Sequence, residues 1–243
     1  MKAYFVSDIH IKHEDKTKGL KLMELLKALP QDTTHLILLG DIFDLWIGSH
    51  DYFVKKFNKI ITELKSLSDR GIEIHYFEGN HDIHLKKFWQ DELGIHVHTD
   101  EYYFNLDGLV VRAEHGDLMN KEDKGYLFLR KALRTFPMNF LTTQLPGRLV
   151  EAIGDRSSRV SRFYTDRQDQ AYKEKVKTLT QNYAQEVYKE KPFDLIITGH
   201  THVDDDFSFE VKGRKARSIN LGSWLDHPKA LIVSKEEQKF IEL

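Results

Sequence analysis

Five short apolar runs in this chain each end in a cluster of aspartate, asparagine or histidine, and this repetition limits the available folds more than any other feature. Ala3–Ser7 leads into Asp8-Ile9-His10, and Thr34–Leu39 into Gly40-Asp41-Ile42-Phe43-Asp44. Ile72–Phe77 leads into Gly79-Asn80-His81-Asp82, Leu109–Ala113 into His115-Gly116-Asp117, and Leu195–Thr198 into Gly199-His200-Thr201-His202. Short apolar runs bounded by turn residues read as buried strands. In open α/β sheets, ligand sites form beyond the carboxyl ends of the strands, so five such ends would converge on one place. Glycines 40, 79, 116 and 199 suit tight turns and close backbone approach there. Asp8 and His10 are two apart, so in an extended segment their side chains would point the same way, and His200 and His202 share that spacing.

The rest of the chain supports an α/β sheet protein. Leu20–Leu29 and Phe53–Leu67 have apolar residues at helical spacing. Tyr102–Glu114 reads as a hairpin turning at Asp107-Gly108, and Phe207–Leu221 as another turning near Lys212-Gly213. Ala230–Val233 and Phe240–Leu243 are closing strands. The stretch from about 118 to 191 differs. It has helix-period apolar residues, among them Phe128, Leu129, Leu133, Leu149, Val150 and Ile153, and is broken at Pro137 and Pro146. It is expected to be a helical insertion between two core strands of a single domain spanning 1–243. It carries 15 basic and 9 acidic residues, while the whole chain has a net charge of −2. A basic segment in an otherwise acidic protein suggests an anionic partner, although solvated helices explain the same charges.

Composition narrows the chemistry. The chain has no cysteine, which excludes disulfides, thiol nucleophiles and thiolate ligands, so a bound metal must be held by oxygen and imidazole. No apolar run approaches the roughly 20 residues that span a bilayer. The N-terminus begins at once with a strand, so a secretion signal is not expected and a cytoplasmic protein is. Carboxylate, amide and imidazole suit divalent cations, and a carboxylate can bridge two of them. Two metals roughly 3.5–4 Å apart can share a hydroxide and clamp the attacking and leaving oxygens of a phosphoryl group. Each cluster is weak evidence alone. His96-Val97-His98 has the same spacing as His200 and His202 but lacks an acid or a strand-end glycine, and reads as an ordinary strand face. All five clusters in order, each after a strand, point to a dimetal site.

With these blocks the chain resembles the calcineurin-like metallophosphoesterase superfamily over roughly residues 3–117 and 194–224. The resemblance implies a four-layer α/β/β/α sandwich. It implies one metal on Asp8, His10, Asp41 and His202, and a second on Asp41, Asn80, His115 and His200, with Asp41 bridging. It gives His81 a catalytic role on the phosphate or the leaving group, and makes Asp44, Asp82 and Asp117 candidates for orienting the ligand imidazoles.

A narrower likeness is carried by Gly40–Gly48, which includes Trp46, and by His115-Gly116-Asp117-Leu118 followed by Asp123, Tyr126, Phe128 and Arg130. These segments resemble the UDP-2,3-diacylglucosamine pyrophosphohydrolases of lipid A synthesis, which carry a helical lid after the same His-Gly-Asp block. That likeness implies Mn²⁺ and a lipid-linked nucleotide sugar split to UMP and a lipid sugar phosphate. It implies substrate contacts from Asn80, His81, Asp123, Tyr126, Arg130, Arg156 and Arg159. That branch has arginine after Gly-Asn where this chain has His81, as the wider superfamily does. Phe136, Met138, Phe140, Leu141 and Leu145, followed by Arg156, Arg159, Arg162 and Arg167, suit acyl chains beside an anionic headgroup. Peripheral contact with the cytoplasmic face of the inner membrane is expected, and nucleic acid is not. The competing readings are a phosphoesterase for a soluble nucleotide or phosphoprotein, and a non-catalytic binding module on the same fold.

Overall fold

Strand alternation divides the apolar residues of the first strand between two cores. In the computed structural model, which describes residues 1–154, 170–225 and 227–243, β1 is Lys2–Val6. Ala3 and Phe5 face one core, Tyr4 and Val6 the other. β1 lies inside a six-stranded sheet with β2 (His35–Leu38), β4 (Glu73–Phe77) and β6 (His96–His98) parallel on one side. On its other side run β12 (Lys229–Ser234) and β13 (Gln238–Glu242), each antiparallel to its neighbour. The second sheet has the order β10 (Asp205–Val211), β11 (Arg214–Asn220), β9 (Leu195–Thr198), β8 (Leu109–Ala113) and β7 (Tyr102–Leu106). β3 (Trp46–Ile47) and β5 (Asp82–Ile83) form a short pair of their own.

Helices α1 (Thr17–Ala28) and α3 (Asn58–Asp69) cover the first sheet with stripes Leu22, Leu25, Leu26 and Ile60, Ile61, Leu64, Leu67. Phe5, Ile37, Leu39 and Phe77 meet Phe104, Val111, Leu195 and Ile197 between the sheets. Helix α6 (Gln170–Glu190) covers the second sheet through Tyr183, Ala184, Val187 and Tyr188. This is the expected four-layer α/β/β/α sandwich.

Both hairpins turn where expected. Asp107 and Lys212 adopt φ 53° and 52°, and the glycines after them 93° and 78°, the left-handed pair that a two-residue hairpin needs. The helix expected over Phe53–Leu67 is divided at Phe57 into α2 (Asp51–Lys56) and α3. Trp46 is fully buried against Phe43, Phe53, Phe57, Phe88 and Trp89, so this residue of the Gly40–Gly48 motif is core, not a ligand contact. The stretch expected as one insertion falls into two parts. α4 (Lys124–Leu133), α5 (Phe136–Gln144) and a helical piece at 147–154 pack at the edge of the first core through Leu133, Leu145 and the buried Val150, while α6 is the fourth layer itself. Among the described residues no helix is long and apolar enough to cross a membrane.

Candidate metal centre

All five polar clusters meet at one end of the sandwich, beyond the carboxyl ends of β1, β2, β4, β8 and β9. The backbone turns sharply to deliver them. Asp8, His10, Asp41, His200 and His202 have φ of 50°, 53°, 53°, 67° and 58°. Asp8 and His10 therefore do not share a face of an extended segment, as their spacing predicts; each is turned inward by a left-handed residue. Strain of this kind persists only where the surroundings hold it. Here Asp8 N donates to Gly40 O at 3.1 Å and His10 N to Asp41 O at 3.0 Å. Two glycines make room: a Cβ at position 79 would collide with Asp41 Oδ1, and one at 199 with Ser7 Oγ and Asp8 Oδ2.

The side chains form two adjoining groups. In the first, His10 Nε2 and His202 Nε2 are 3.1 Å apart, His202 Nε2 is 3.3 Å from Asp8 Oδ1, and His10 Nε2 is 3.8 Å from Asp41 Oδ2. In the second, His115 Nε2 is 3.7 Å from that same Asp41 oxygen and 3.3 Å from Asn80 Oδ1, which lies 3.0 Å from His200 Nδ1. Asp41 Oδ2 thus stands between the groups. His200 and His202 part company, one to each group, as the family pattern implies and their shared spacing does not.

The four shorter spacings, 3.0–3.3 Å, match the edges of coordination polyhedra, about 3.0–3.4 Å for metal–ligand bonds of about 2.1 Å, while the two to Asp41 Oδ2 are longer, at 3.7 and 3.8 Å. The donor chemistry also fits cations. Asp8 Oδ1 and His10 Nδ1 are buried without a hydrogen-bond partner, and such atoms are costly unless something else satisfies them. His115 Nδ1 donates to Leu39 O at 2.9 Å, which turns Nε2 toward Asp41 and Asn80. Burial disfavours charge on His115, yet Asp41, Asp8 and Asp117 around it push its pKa up to about 9. Burial also works against Asp8, but the nearby imidazoles, His202 first, hold it well below the usual carboxylate range. Burial pushes His200 down to about 4, helped by His115. The cluster as a whole draws positive charge.

His81 stands beside both groups. Its backbone N–H donates to Asp41 Oδ1 at 2.9 Å, its Nδ1 lies 2.8 Å from Asp44 O, and its ring is 4.7 Å from that of His10. The expected imidazole-orienting carboxylates are used otherwise in two cases. Asp82 accepts from the backbone N–H of Asp41, Ile42 and Gly79 at 2.9, 2.8 and 2.8 Å and from Tyr76 Oη at 2.7 Å, so it ties two ligand loops together. Asp117 accepts from Tyr126 Oη at 2.7 Å and Arg130 Nε at 2.5 Å, so it holds α4 against the site. Asp44 Oδ2 lies 3.3 Å from Lys12 Nζ.

A cavity of about 670 Å³ opens over the cluster, lined at its base by His10, Asp41, Asn80, His81, His200 and His202. Asp123 and Tyr126 of the expected substrate contacts line it, and Asp123 also caps α4 by accepting from Tyr126 N at 2.9 Å. Arg130 does not line it; besides Asp117 it reaches Thr99 O at 3.2 Å. Arg156, Arg159, Arg162 and Arg167, and the side chains of Phe136 and Leu141, lie outside what the structure describes. The wall that the sequence reading missed is the start of α6, with Tyr172, Lys175, Val176 and Leu179. The signal was present: Val176, Thr180, Tyr183, Ala184, Val187 and Tyr188 repeat at helical spacing, and a helix packed along one side carries its first turns past the site.

The sequence profile of the calcineurin-like phosphoesterases matches residues 1–204. The chain is 27% identical over 238 residues to a protein of Vibrio parahaemolyticus named UDP-2,3-diacylglucosamine hydrolase, covering 97% of this chain and 96% of that one. Proteins of the same name from Aeromonas salmonicida and Stenotrophomonas maltophilia are each 28% identical, covering 98% and 96% of this chain and 92% and 95% of theirs. Among solved structures, an archaeal phosphodiesterase superposes over 100% of both chains with a TM-score of 0.52 at 18% identity, a likeness of fold.

Proposed function

The chain belongs to the calcineurin-like phosphoesterase family, a family of metal-dependent hydrolases, and on that premise we propose that it hydrolyses the pyrophosphate of UDP-2,3-diacylglucosamine to UMP and 2,3-diacylglucosamine 1-phosphate. The observation that carries this reading is the cavity, which has the proposed ligand cluster at its base and a wall of aromatic, apolar and charged residues, Tyr126, Tyr172, Lys175, Leu179 and Glu186 among them, from α4 and α6. Its volume of about 670 Å³ falls in the range of roughly 300–1,000 Å³ that holds a drug-sized ligand. A nucleotide sugar diphosphate fits such a space, and two acyl chains besides do not. Phe128, Leu129, Phe140, Leu149 and Ile153, on the helices beside it, are 48–76% exposed and offer the chains an apolar path outward. The same side chains support peripheral contact with the cytoplasmic face of the inner membrane.

Asp8, His10, Asp41 and His202 would hold one cation, and Asp41, Asn80, His115 and His200 the other, with Mn²⁺ the preferred metal. When bound, the two cations supply Lewis acidity to the phosphoryl oxygens and lower the pKa of water. The remaining work falls to the chain's own groups. Asp82 fixes the Asp41 and Gly79 loops to one another, so the ligand atoms keep their spacing. His81, with Nδ1 against Asp44 O, uses Nε2 to bind the phosphate or to protonate the departing phosphate oxygen. Tyr126, on a helix held by Asp117, and Lys175 bind the diphosphate or the sugar. The P–O–P bond breaks as water oxygen joins one phosphorus, and the bridging oxygen leaves on the other.

The test compares UDP-2,3-diacylglucosamine with its deacylated counterpart and with a small aryl phosphodiester, using Mn²⁺-loaded enzyme. Each buried methylene contributes about 0.8 kcal/mol, so a preference of at least about 100-fold for the diacyl substrate is expected. Equal cleavage of acylated and deacylated substrates, or of neither, would refute the lipid assignment, while aryl ester cleavage alone would leave a phosphoesterase for a soluble substrate.

A further inference from the structure

At the far end of β2 from Asp41 lies a second gathering of imidazoles. His35 opens β2, Glu73 and His75 stand on β4, and β6 adds His96 and His98, with His35 opposite Glu73 and His75 opposite His96. His35 Nε2 lies 3.5 Å and His75 Nε2 3.7 Å from the same oxygen, Glu73 Oε2, and the three atoms are all within 4.8 Å of one another. His35 and His75 are 8% and 5% exposed, whereas Glu73 is exposed, so the group is built into the sheet yet open to solvent on one side.

The hydrogen bonds fix what the nitrogens present. Thr34 Oγ1 donates to Lys2 O at 3.0 Å, so at 2.8 Å from His35 Nδ1 it accepts. With the Thr34 hydroxyl so directed, the His35 proton sits on Nδ1 and the Nε2 lone pair faces the carboxylate. His75 Nδ1 is engaged at 2.9 Å by His98 Nε2, and His75 Nε2 is buried without a hydrogen-bond partner. A lone pair set against a carboxylate oxygen repels it unless positive charge lies between them, and the unpartnered His75 Nε2 beside it has no other ligand. Protonation does not supply that charge at neutral pH, since burial lowers both groups, His75 to about 3 with help from the imidazoles of His98, His96 and His35.

We propose that His35 Nε2, His75 Nε2 and Glu73 Oε2 form a site for a transition-metal dication of the zinc class, separate from the dimetal centre. Two imidazoles and a carboxylate, with water in the fourth position, are a zinc donor set. Imidazole ligands favour Zn²⁺ over the harder Mg²⁺ and Mn²⁺. The tetrahedral edge for bonds of about 2.0–2.1 Å is about 3.3–3.4 Å. Observed separations of 3.5 and 3.7 Å to Glu73 close to that with a small rotation of an exposed side chain. His98 on His75 Nδ1 and Thr34 on His35 Nδ1 play the part that outer partners play for ligand imidazoles. His35 opens β2 and Asp41 lies past its carboxyl end, beyond roughly 10 Å of extended strand and a left-handed turn, so this cation takes no part in phosphoryl chemistry. It ties β2 to β4 at their amino ends.

The experiment loads wild type and the Glu73→Ala and His35→Gln variants with Mn²⁺, adds Zn²⁺, desalts, and counts both metals per chain by mass spectrometry. Total metal in wild type should exceed that in Glu73→Ala by one equivalent, and His35→Gln should match Glu73→Ala. The difference is independent of how many ions the other centre holds, so it stands or fails apart from the proposed activity. Mn²⁺-dependent turnover in Glu73→Ala should stay within twofold of wild type, and Zn²⁺ should raise the melting temperature of wild type but not of that variant. Because Glu73 is exposed, the variant keeps its fold. Equal metal totals in wild type and Glu73→Ala, or a Zn²⁺-induced shift that survives the substitution, would overturn the assignment.

Discussion

Asp117→Asn separates two roles that the sequence leaves merged. Asp117 follows a proposed ligand by two residues, which suggests service to the metal centre, but its carboxylate receives Tyr126 Oη at 2.7 Å and Arg130 Nε at 2.5 Å, both from α4. The carboxyl is 6% exposed. Burial would raise its pKa, but His115, His200, Arg130 and the Tyr126 hydroxyl carry it down to about 2 from 3.8. That shift is worth about 2.5 kcal/mol, of which α4 supplies part. Hydrogen bonds to a charged group contribute about 1.5–3 kcal/mol each, and asparagine keeps only one acceptor oxygen while turning N–H groups toward a donor. Arg130 also retains Thr99 O, so a loss of about 2–3 kcal/mol in the docking of α4 is reasonable. If α4 closes the cavity over a long substrate, that loss lowers kcat/KM for the diacyl substrate about 30- to 150-fold. Turnover of a small aryl phosphodiester should change less than threefold, and metal content should not change. Steady-state kinetics on both substrates with metal analysis decides it. An equal loss on both substrates would refute the reasoning and return Asp117 to the service of His115.

Asp41→Ala should abolish hydrolysis and lower metal content, because its Oδ2 faces both ligand groups; full activity after exhaustive chelation would sink the dimetal reading. His81→Ala should lower turnover by about 10²- to 10⁴-fold, the usual range for general acid catalysis, at unchanged metal content; metal loss with no separate kinetic effect would make it a structural neighbour. Gly199→Ala should destabilise the fold and weaken metal binding together, since the added methyl collides with Asp8 Oδ2 and Ser7 Oγ; denaturant midpoints with and without Mn²⁺ measure both. For His75 the folded pKa is about 3 against an ordinary 6.5, so the unfolded chain binds the proton first and stability falls as pH drops from about 6.5 toward 3. By pH 5 this amounts to about 2 kcal/mol. In chelator, His75→Gln should lose that much less between pH 7 and pH 5, and parallel wild-type and variant curves would exclude it.

Much of the fold was legible because the signals were local. Asp107-Gly108 and Lys212-Gly213 each sit between alternating strands, and both are two-residue turns with positive φ. The paired cores follow from period-two alternation, as in Ala3 and Phe5 against Tyr4 and Val6. What was missed depends on distance in sequence. Nothing local distinguishes α6 from the helices before it, and only the assembled second sheet, in which β9–β11 join β8 and β7, gives its stripe a face to cover. His35 and His75 pass for strand residues, and their meeting depends on the pairing of β2 with β4. His96 and His98 do stand on an ordinary edge strand, but His98 reaches His75.

The site was legible for a different reason. Spacing arguments predicted convergence from extended geometry, and the geometry is not extended: five of the proposed ligands are left-handed. A residue with a Cβ gives up about 1–2 kcal/mol in that conformation, and among non-glycine residues aspartate, asparagine and histidine enter it most readily. These are also the side chains that bind divalent cations. A strand end that must turn abruptly and present a ligand at the turn therefore selects the same few residue types twice, once for backbone tolerance and once for coordination. The clusters stand out in the sequence because both demands fall on single positions, and a cation that satisfied the buried Asp8 Oδ1 and the facing His10 and His202 Nε2 atoms would offset the strain they hold. Cation binding should therefore raise the melting temperature well beyond what the surface charge of the protein could give, and substitutions that relieve the left-handed turns should stabilise the metal-free protein while weakening its hold on metal.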